Sequence, residues 1–459
     1  MLAAQIFKAN DIRGIADPAA GLPQEWDEAG ARALGLAYGQ LLGAEEMAVV
    51  AHDMRTSGPR LEAAFVEGVT AQGVHVVKAG LASTDQLWFA SGFLDVAGVQ
   101  LTASHNPSAY NGMKFCRRQA QPVSPAFLAE LAALATAYDS GARPAPAGRP
   151  RGRVTERDLL AEYAAYLHSL VDVQGWRRLK VVVDAGNGMA GHTVPAVLGP
   201  LDLDIIGLYL DLDGRFPHHQ PNPLAPENLV DAQRAVRAAG ADVGLVFDGD
   251  ADRCFVIDER GEVCPPSAVT ALIAVAELAR EPGAAVVVNT ITSDAVREIV
   301  AERGGRIVES RVGHTYVKAE MAAHHAIFGG EHSAHYYFRD FWGADTGMLA
   351  ALHVLARLGH GQRPLSELIA ECDRYAASGE INSVVADPEA VMAKVAAAFA
   401  GQGEARWGDG VKVVGPDWWF NLRPSNTEPL LRLNVEAAAK DKMAQLRDTV
   451  LKLIAEEES

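Results

Sequence analysis

Short runs of β-branched and other apolar residues alternate along this chain with stretches whose apolar positions recur at helical spacing. Glu25 to Leu42 carries the helical period and Met47 to Ala51 the pattern of a strand; Gly58 to Gly73 is helical again, and Val74 to Val77 is a second strand. Strand, helix and strand in that order build a parallel-rich sheet with covered faces. Ala97-Gly98-Val99-Gln100-Leu101 reads as a further short buried strand, and it stops abruptly in Thr102-Ala103-Ser104-His105-Asn106-Pro107. The proline keeps the residue before it out of the helical region, so a turn follows and Ser104 is presented at a strand end. Open α/β sheets place their chemistry at such ends.

The design returns twice. A second unit has the strand Lys180 to Asp184, a Gly186-Asn187-Gly188 turn, a helix from Pro226 to Ala239 and a strand from Asp242 to Phe247. A third has helices at Ala268 to Arg280, Ser293 to Arg303 and Thr315 to His324, interleaved with strands at Ala285 to Asn289, Arg306 to Glu309 and Ala326 to Phe328. The strand openings at Val49, Val181 and Val286 resemble one another, which points to a triplicated α/β unit. From about Tyr375 the pattern changes. Asp387-Pro388 caps a helix buried through Val391, Val395 and Phe399, and Asp409-Gly410 turns into the strand Val411 to Val414. Leu431, Leu433 and Val435 alternate with polar residues, and a closing helix carries Met443, Leu446, Val450, Leu453 and Ile454. The fold class is α/β: three related mixed-sheet domains and a smaller C-terminal α+β domain on an antiparallel sheet. The Pro, Gly and Ala-rich stretch 140–150 is the first interdomain connection, and the expected domains are 1–150, 151–255, 256–372 and 373–459.

Composition narrows the function. A chain of 459 residues exceeds a single core, since domains run to roughly 100–150 residues. With 58 acidic against 41 basic side chains, the net charge of −17 argues against a nucleic-acid partner, and any anionic substrate needs positive charge gathered locally. The four cysteines are scattered without a Cys-x-x-Cys pair, so neither a zinc site nor a disulfide framework is indicated. No signal-peptide pattern and no stretch of membrane-spanning length occurs, and the expected location is cytoplasmic.

Four loops carry candidate chemistry. Ser104 suits an acyl nucleophile, a phosphate carrier or a plain turn residue, and no Gly-x-Ser-x-Gly elbow supports the first. Asp248-Gly249-Asp250-Ala251-Asp252-Arg253 follows the apolar strand Val243 to Phe247, and small residues between its carboxylates let all three turn toward one point. Oxygen-only ligands favour Mg²⁺; a solvated acidic turn is the plain alternative, and the EF-hand calcium pattern is absent. In Gly329-Gly330-Glu331-His332-Ser333-Ala334-His335, Glu331 can accept two hydroxyl hydrogens from a sugar diol. The two histidines also permit a metal reading but lack a third ligand at usual spacing. Arg423-Pro424-Ser425-Asn426-Thr427-Glu428-Pro429 is rich in donors for a phosphate dianion, or is a bare turn.

Together with the start Asp11-Ile12-Arg13-Gly14, these loops make the chain resemble the α-D-phosphohexomutase superfamily, and within it the bacterial phosphomannomutase/phosphoglucomutase group, over nearly its whole length. The resemblance implies four domains around a central cleft. It also implies a reaction interconverting hexose 1-phosphate and hexose 6-phosphate through a phosphoserine and a hexose 1,6-bisphosphate, which also serves as activator. Ser104 is then the phosphoserine, flanked by His105, and Ser104, Asp248, Asp250 and Asp252 are the Mg²⁺ ligands. Lys114, or alternatively His314, moves the proton. The implied substrate contacts are Arg13, Arg253, Gly313, His314, Glu331, His332, Ser333, His335, Arg423, Ser425, Asn426 and Thr427. The partner is a phosphorylated hexose, bound by a monomer or weak homodimer. Asn10 stands where many members have tyrosine, and Ile291 where some have a substrate-contacting lysine. Two other activities stay in view: a phosphoglucosamine mutase, whose sugar loop more often has Gln where this chain has His332, and a phosphatase using Asp248 as nucleophile.

Overall fold

The computed structural model describes residues 1–18, 21–43, 46–424 and 430–456. The chain divides into two compact units, Met1–Cys264 with Ser333–Ser366, and Pro265–His332 with Glu367–Ser459.

The first unit holds two sheets. In the larger, six strands run in the order Ile12–Ile15, Tyr110–Cys116, Ala97–Leu101, Met47–His52, His75–Leu81 and Val154–Glu156. The inner pairings of Met47–His52 are parallel, whereas Tyr110–Cys116 runs antiparallel to both its neighbours. Every residue of Ala97–Leu101 is buried, as an apolar run without alternation requires. The helices Glu28–Leu42 and Gly58–Ala71 cover the sheet and approach closely through Gly35 and Gly68. A Cβ at Gly35 would lie 2.1 Å from the Phe65 carbonyl oxygen and one at Gly68 2.2 Å from that of Arg32, so no larger residue fits either position. The strand Val154–Glu156 pairs with His75–Leu81 and so extends the first sheet past residue 150.

The second sheet has four strands in the order Cys254–Asp258, Val243–Phe247, Leu179–Asp184 and Leu203–Leu208, parallel except for the first pair. The aspartate-rich loop is the connection within that antiparallel pair. The unit is completed by the strand pair Tyr336–Phe338 and Ala344–Asp345 and by the helix Gly347–Gly359.

In the second unit Ala285–Asn289, wholly buried, lies between parallel strands Arg306–Ser310 and Phe328–Gly330. The final sheet is antiparallel throughout, in the order Ala376–Val384, Leu430–Ala437, Trp418–Pro424, Gly410–Val414 and Glu404–Gly408. Its core includes Val391, Val395 and Phe399 from one helix and Met443, Leu446, Val450 and Ile454 from the other, with Leu453 only partly buried.

Several elements differ in extent from the pattern. The first long helix begins at Glu28, because Trp26 is buried in extended chain with its indole donating to the Gly14 carbonyl at 3.2 Å, and Asp27 caps the helix. Pro226–Leu229 forms a separate 3₁₀ turn before the helix Val230–Ala239. The strand expected at Ala326 to Phe328 is Phe328–Gly330, and its last position admits only glycine, since a Cβ on Gly330 would lie 2.4 Å from Thr270 Oγ1. No helix among the described residues is long and apolar enough to cross a membrane.

Candidate active site

In the first unit the buried strand Ala97–Leu101 delivers Ser104 into a crowded polar centre. Ser104 is 3 % exposed and adopts a left-handed backbone with φ of 48°, a conformation that costs a non-glycine residue roughly 1–2 kcal/mol. Its N–H donates to Thr102 Oγ1 at 2.9 Å, and its own carbonyl accepts from Arg55 at 2.7 Å. The Arg55 guanidinium, 1 % exposed, also donates to the carbonyls of Asn106, Pro107 and Tyr110 at 2.7, 2.8 and 2.9 Å. Asp53 balances its charge at 3.3 Å. One side chain thus grips the turn from Ser104 to Tyr110.

The second sheet of the same unit brings the aspartates to this serine. Ser104 Oγ donates to Asp248 Oδ2 at 2.8 Å, and Arg253 donates to the same oxygen from Nε at 2.9 Å and from its terminal nitrogen at 2.7 Å. Gly249 is needed here, since a Cβ would lie 2.4 Å from the Ser104 carbonyl oxygen. His105 Nδ1 is 2.8 Å from Arg253, which can only donate, so the imidazole accepts there and carries its proton on Nε2. Burial, together with the charges of Arg253 and Arg13, pushes this histidine well below its usual range and keeps it neutral. Arg13 donates to Asn106 and pairs with Asp11.

Lys114, on the antiparallel strand Tyr110–Cys116, reaches Asp250 at 2.7 Å and Asp252 at 2.5 Å. Burial opposes its charge, but the two carboxylates hold the ammonium above its ordinary value. Burial would likewise raise Asp250, yet Lys114 and the Thr84 hydroxyl pull it well below; Asp252 is pushed up by burial and by Asp250. Ligand oxygens of Asp248, Asp250 and Asp252 lie within 4.8 Å of one another, all buried. Oδ1 of Asp250 and Oδ1 of Asp252 have no hydrogen-bond partner among the described residues. Three carboxylates against Lys114 and Arg253 leave one negative charge, and two unused buried oxygens on hard ligands fit a small divalent cation. Ser333 and His335 belong to this unit too: they bond to each other at 2.9 Å, and His335 Nε2 lies 3.8 Å from Asp252 Oδ1.

The second unit gathers Gly313, Glu331 and His332. Glu331 Oε1 accepts from the Gly313 N–H and from Asn289 Nδ2, each at 3.1 Å, and Asn289 Nδ2 is 3.2 Å from His332 Nδ1. His314 opens the helix His314–His324 directly after Gly313 and is partly buried. Arg423 is 4 % exposed and donates to Glu380 at 2.5 Å. Ser425, Asn426 and Thr427 lie outside the described residues.

The expected constellation therefore forms as two clusters, with the Gly329 to His335 loop crossing the division between units after His332. Arg55, Asp53 and Thr84 also belong to the first cluster. Arg55 and Asp53 follow the strand Met47–His52 as Asp-x-Arg, a signal present in the sequence but drowned by its ordinary look. Thr84 donates to Asp250 from both its hydroxyl and its N–H, and only the fold brings it there.

Known proteins resemble this chain over nearly its whole length. Family models described as phosphoglucomutase/phosphomannomutase match in order: alpha/beta/alpha domain I over residues 4–142, domain II over 161–261, domain III over 265–375 and the C-terminal domain over 380–453. A protein of Xanthomonas campestris pv. campestris named as phosphohexose mutases is 38% identical over 444 residues, spanning 96% of this chain and 97% of its own. A phosphomannomutase of Salmonella typhimurium is 38% identical over 454 residues, 97% of each. Among solved structures, a phosphoglucomutase/phosphomannomutase family protein from Burkholderia thailandensis superposes with a TM-score of 0.88 at 30% identity, covering 100% of this chain and 98% of that one. With matches of this length and a serine bonded to a buried aspartate trio, the chain belongs to the phosphoglucomutase/phosphomannomutase family.

Proposed function

We propose that this phosphohexomutase works through a phosphoserine at Ser104. The observation that carries the reading is the 2.8 Å bond from Ser104 Oγ to Asp248, inside a buried trio that Arg253 also serves. A hydroxyl of a hexose 1-phosphate attacks the phosphorus of phospho-Ser104, the bond from phosphorus to Oγ breaks, and a hexose 1,6-bisphosphate forms. After the intermediate turns over, Ser104 Oγ attacks the phosphate at C1, releasing hexose 6-phosphate and restoring the phosphoenzyme. Phosphoryl transfer needs in-line positioning and charge neutralisation more than covalent help. Arg253 and Arg13 supply fixed positive charge beside Ser104.

Asp248, Asp250, Asp252 and the serine phosphate would hold Mg²⁺, which when bound neutralises charge building on the transferring group. Lys114 holds a proton at Nζ and is the first candidate to move it, with His314 the alternative. Glu331, His332, Gly313, Ser333 and His335 would contact the sugar. Arg423, with Ser425, Asn426 and Thr427, would hold the phosphate that is not reacting. Mannose 1-phosphate is the leading substrate, in line with the names of the relatives, with glucose 1-phosphate accepted beside it. The setting proposed is cytoplasmic, with a trace of hexose 1,6-bisphosphate as activator.

The test is Ser104→Ala, assayed with mannose, glucose and glucosamine 1-phosphates and a trace of bisphosphate. Turnover should vanish with all three sugars while the melting temperature holds. Mutase activity retained without the hydroxyl would refute the mechanism, and phosphate release insensitive to its loss would move the chemistry to Asp248.

A further inference from the structure

The C-terminal antiparallel sheet sets two arginines opposite each other. Arg423 on Trp418–Pro424 and Arg432 on Leu430–Ala437 are direct cross-strand partners, an arrangement that like charges disfavour unless an anion lies between them. Glu380, on the edge strand Ala376–Val384, is that anion. Its Oε2 accepts from Arg423 at 2.5 Å and its Oε1 lies 3.3 Å from Arg432. Two guanidinium groups thus share this one carboxylate, with the charges of Asp409 and Glu331 also acting on Arg423, in a chain whose net charge is −17. The neighbouring His332 registers the same field: its Nε2 is 4.0 Å from Glu380, and burial with the charges of Arg423 and Arg432 pushes it down to about 3. Arg423 Nε, though buried, has no hydrogen-bond partner among the described residues, so this guanidinium holds a donor in reserve.

We propose that Glu380 is an internal stand-in for the substrate's non-reacting phosphate, holding Arg423 and Arg432 as a preformed pair and yielding them when the phosphate arrives. Arg432 is then a second phosphate ligand, and Glu380 sets by competition how tightly a hexose phosphate is held. The inference rests on the reading of Arg423 as a phosphate-holding residue. The exchange is favourable because a phosphate dianion brings more charge and more acceptor oxygens to two planar donors than a carboxylate does. Glu380 keeps 24% of its side chain exposed, so it has somewhere to go.

The test is calorimetric titration of the full chain with glucose 6-phosphate and, separately, inorganic phosphate. Glu380→Gln should bind both about tenfold more tightly than the parent, since the competing charge is gone. Arg423→Met and Arg432→Met should each weaken binding by about tenfold or more. Unchanged or weaker binding by Glu380→Gln would make the glutamate an orienting strut and overturn the exchange; an unchanged Arg432→Met would remove the second ligand. If Arg423→Met binds as the parent does, the underlying phosphate reading fails as well, which separates the two failures. Should Glu380→Gln not fold by circular dichroism, Glu380→Asp decides: it keeps the charge but withdraws it by one methylene, and a smaller tightening is expected.

Discussion

Replacing Arg55 by Lys isolates geometry from charge at the heart of the first unit. The ammonium keeps the counter-charge for Asp53, but it is a point donor and cannot span the four carbonyl oxygens that the guanidinium now holds at 2.7 to 2.9 Å. Two or three of those bonds are lost, and each buried carbonyl left without a partner costs about 1–3 kcal/mol. That sum exceeds the roughly 1–2 kcal/mol needed to keep Ser104 in its left-handed conformation, so the turn relaxes and Oγ leaves its position beside Asp248. A displacement of about 1 Å costs on the order of 100-fold in rate. The expected outcome is a kcat reduced by about 100-fold or more, with little change in KM, in a coupled assay of hexose 1-phosphate conversion. Intact-mass measurement of Ser104 phosphorylation should show slower loading from the bisphosphate. An Arg55→Lys variant that turns over within about threefold of the parent would refute the claim that this guanidinium sets the serine's geometry.

Two further outcomes test other parts of the molecule. Asp85 is fully buried and accepts from Ser83, Tyr163 and Thr346, and burial pushes it up to about 6 from 3.8. A carboxyl raised in the folded state stabilises most below 3.8 and loses that contribution as pH rises through 6. Asp85→Asn should therefore gain on the parent by about 2 kcal/mol between pH 4.5 and 7.5 in urea unfolding; parallel pH profiles for the two proteins would sink this. For the aspartate loop, Asp250→Asn should weaken Mg²⁺ or Mn²⁺ binding by about tenfold or more in calorimetry and lower the melting temperature, because it also takes a carboxylate from the buried Lys114; unchanged affinity would exclude Asp250 as a ligand.

Much of this architecture is visible in the residues because a buried strand that stops in small polar residues leaves an unmistakable break. Ala97 to Leu101 ending at Ser104, and Val243 to Phe247 ending at Asp248, are both of that kind. The strands at the margins of the last sheet are harder. Every residue of Glu404–Gly408 is exposed, so no apolar alternation betrays it. Tyr110–Cys116 is buried at all but its first residue, yet it contains Asn111 and Lys114, whose side chains find partners only in the folded chain. Arg55, Thr84 and Glu380 act on groups 49 to 166 positions away or across a sheet, a relation that no local spacing encodes.

The ammonium of Lys114, lodged between Asp250 and Asp252, has a bearing on how the enzyme is made and kept. The chain carries its own counter-cation, so the acidic loop can fold and persist in an environment poor in divalent ions. Chelation should then silence catalysis without melting the protein, and restoring the ion should bring activity back without a refolding step.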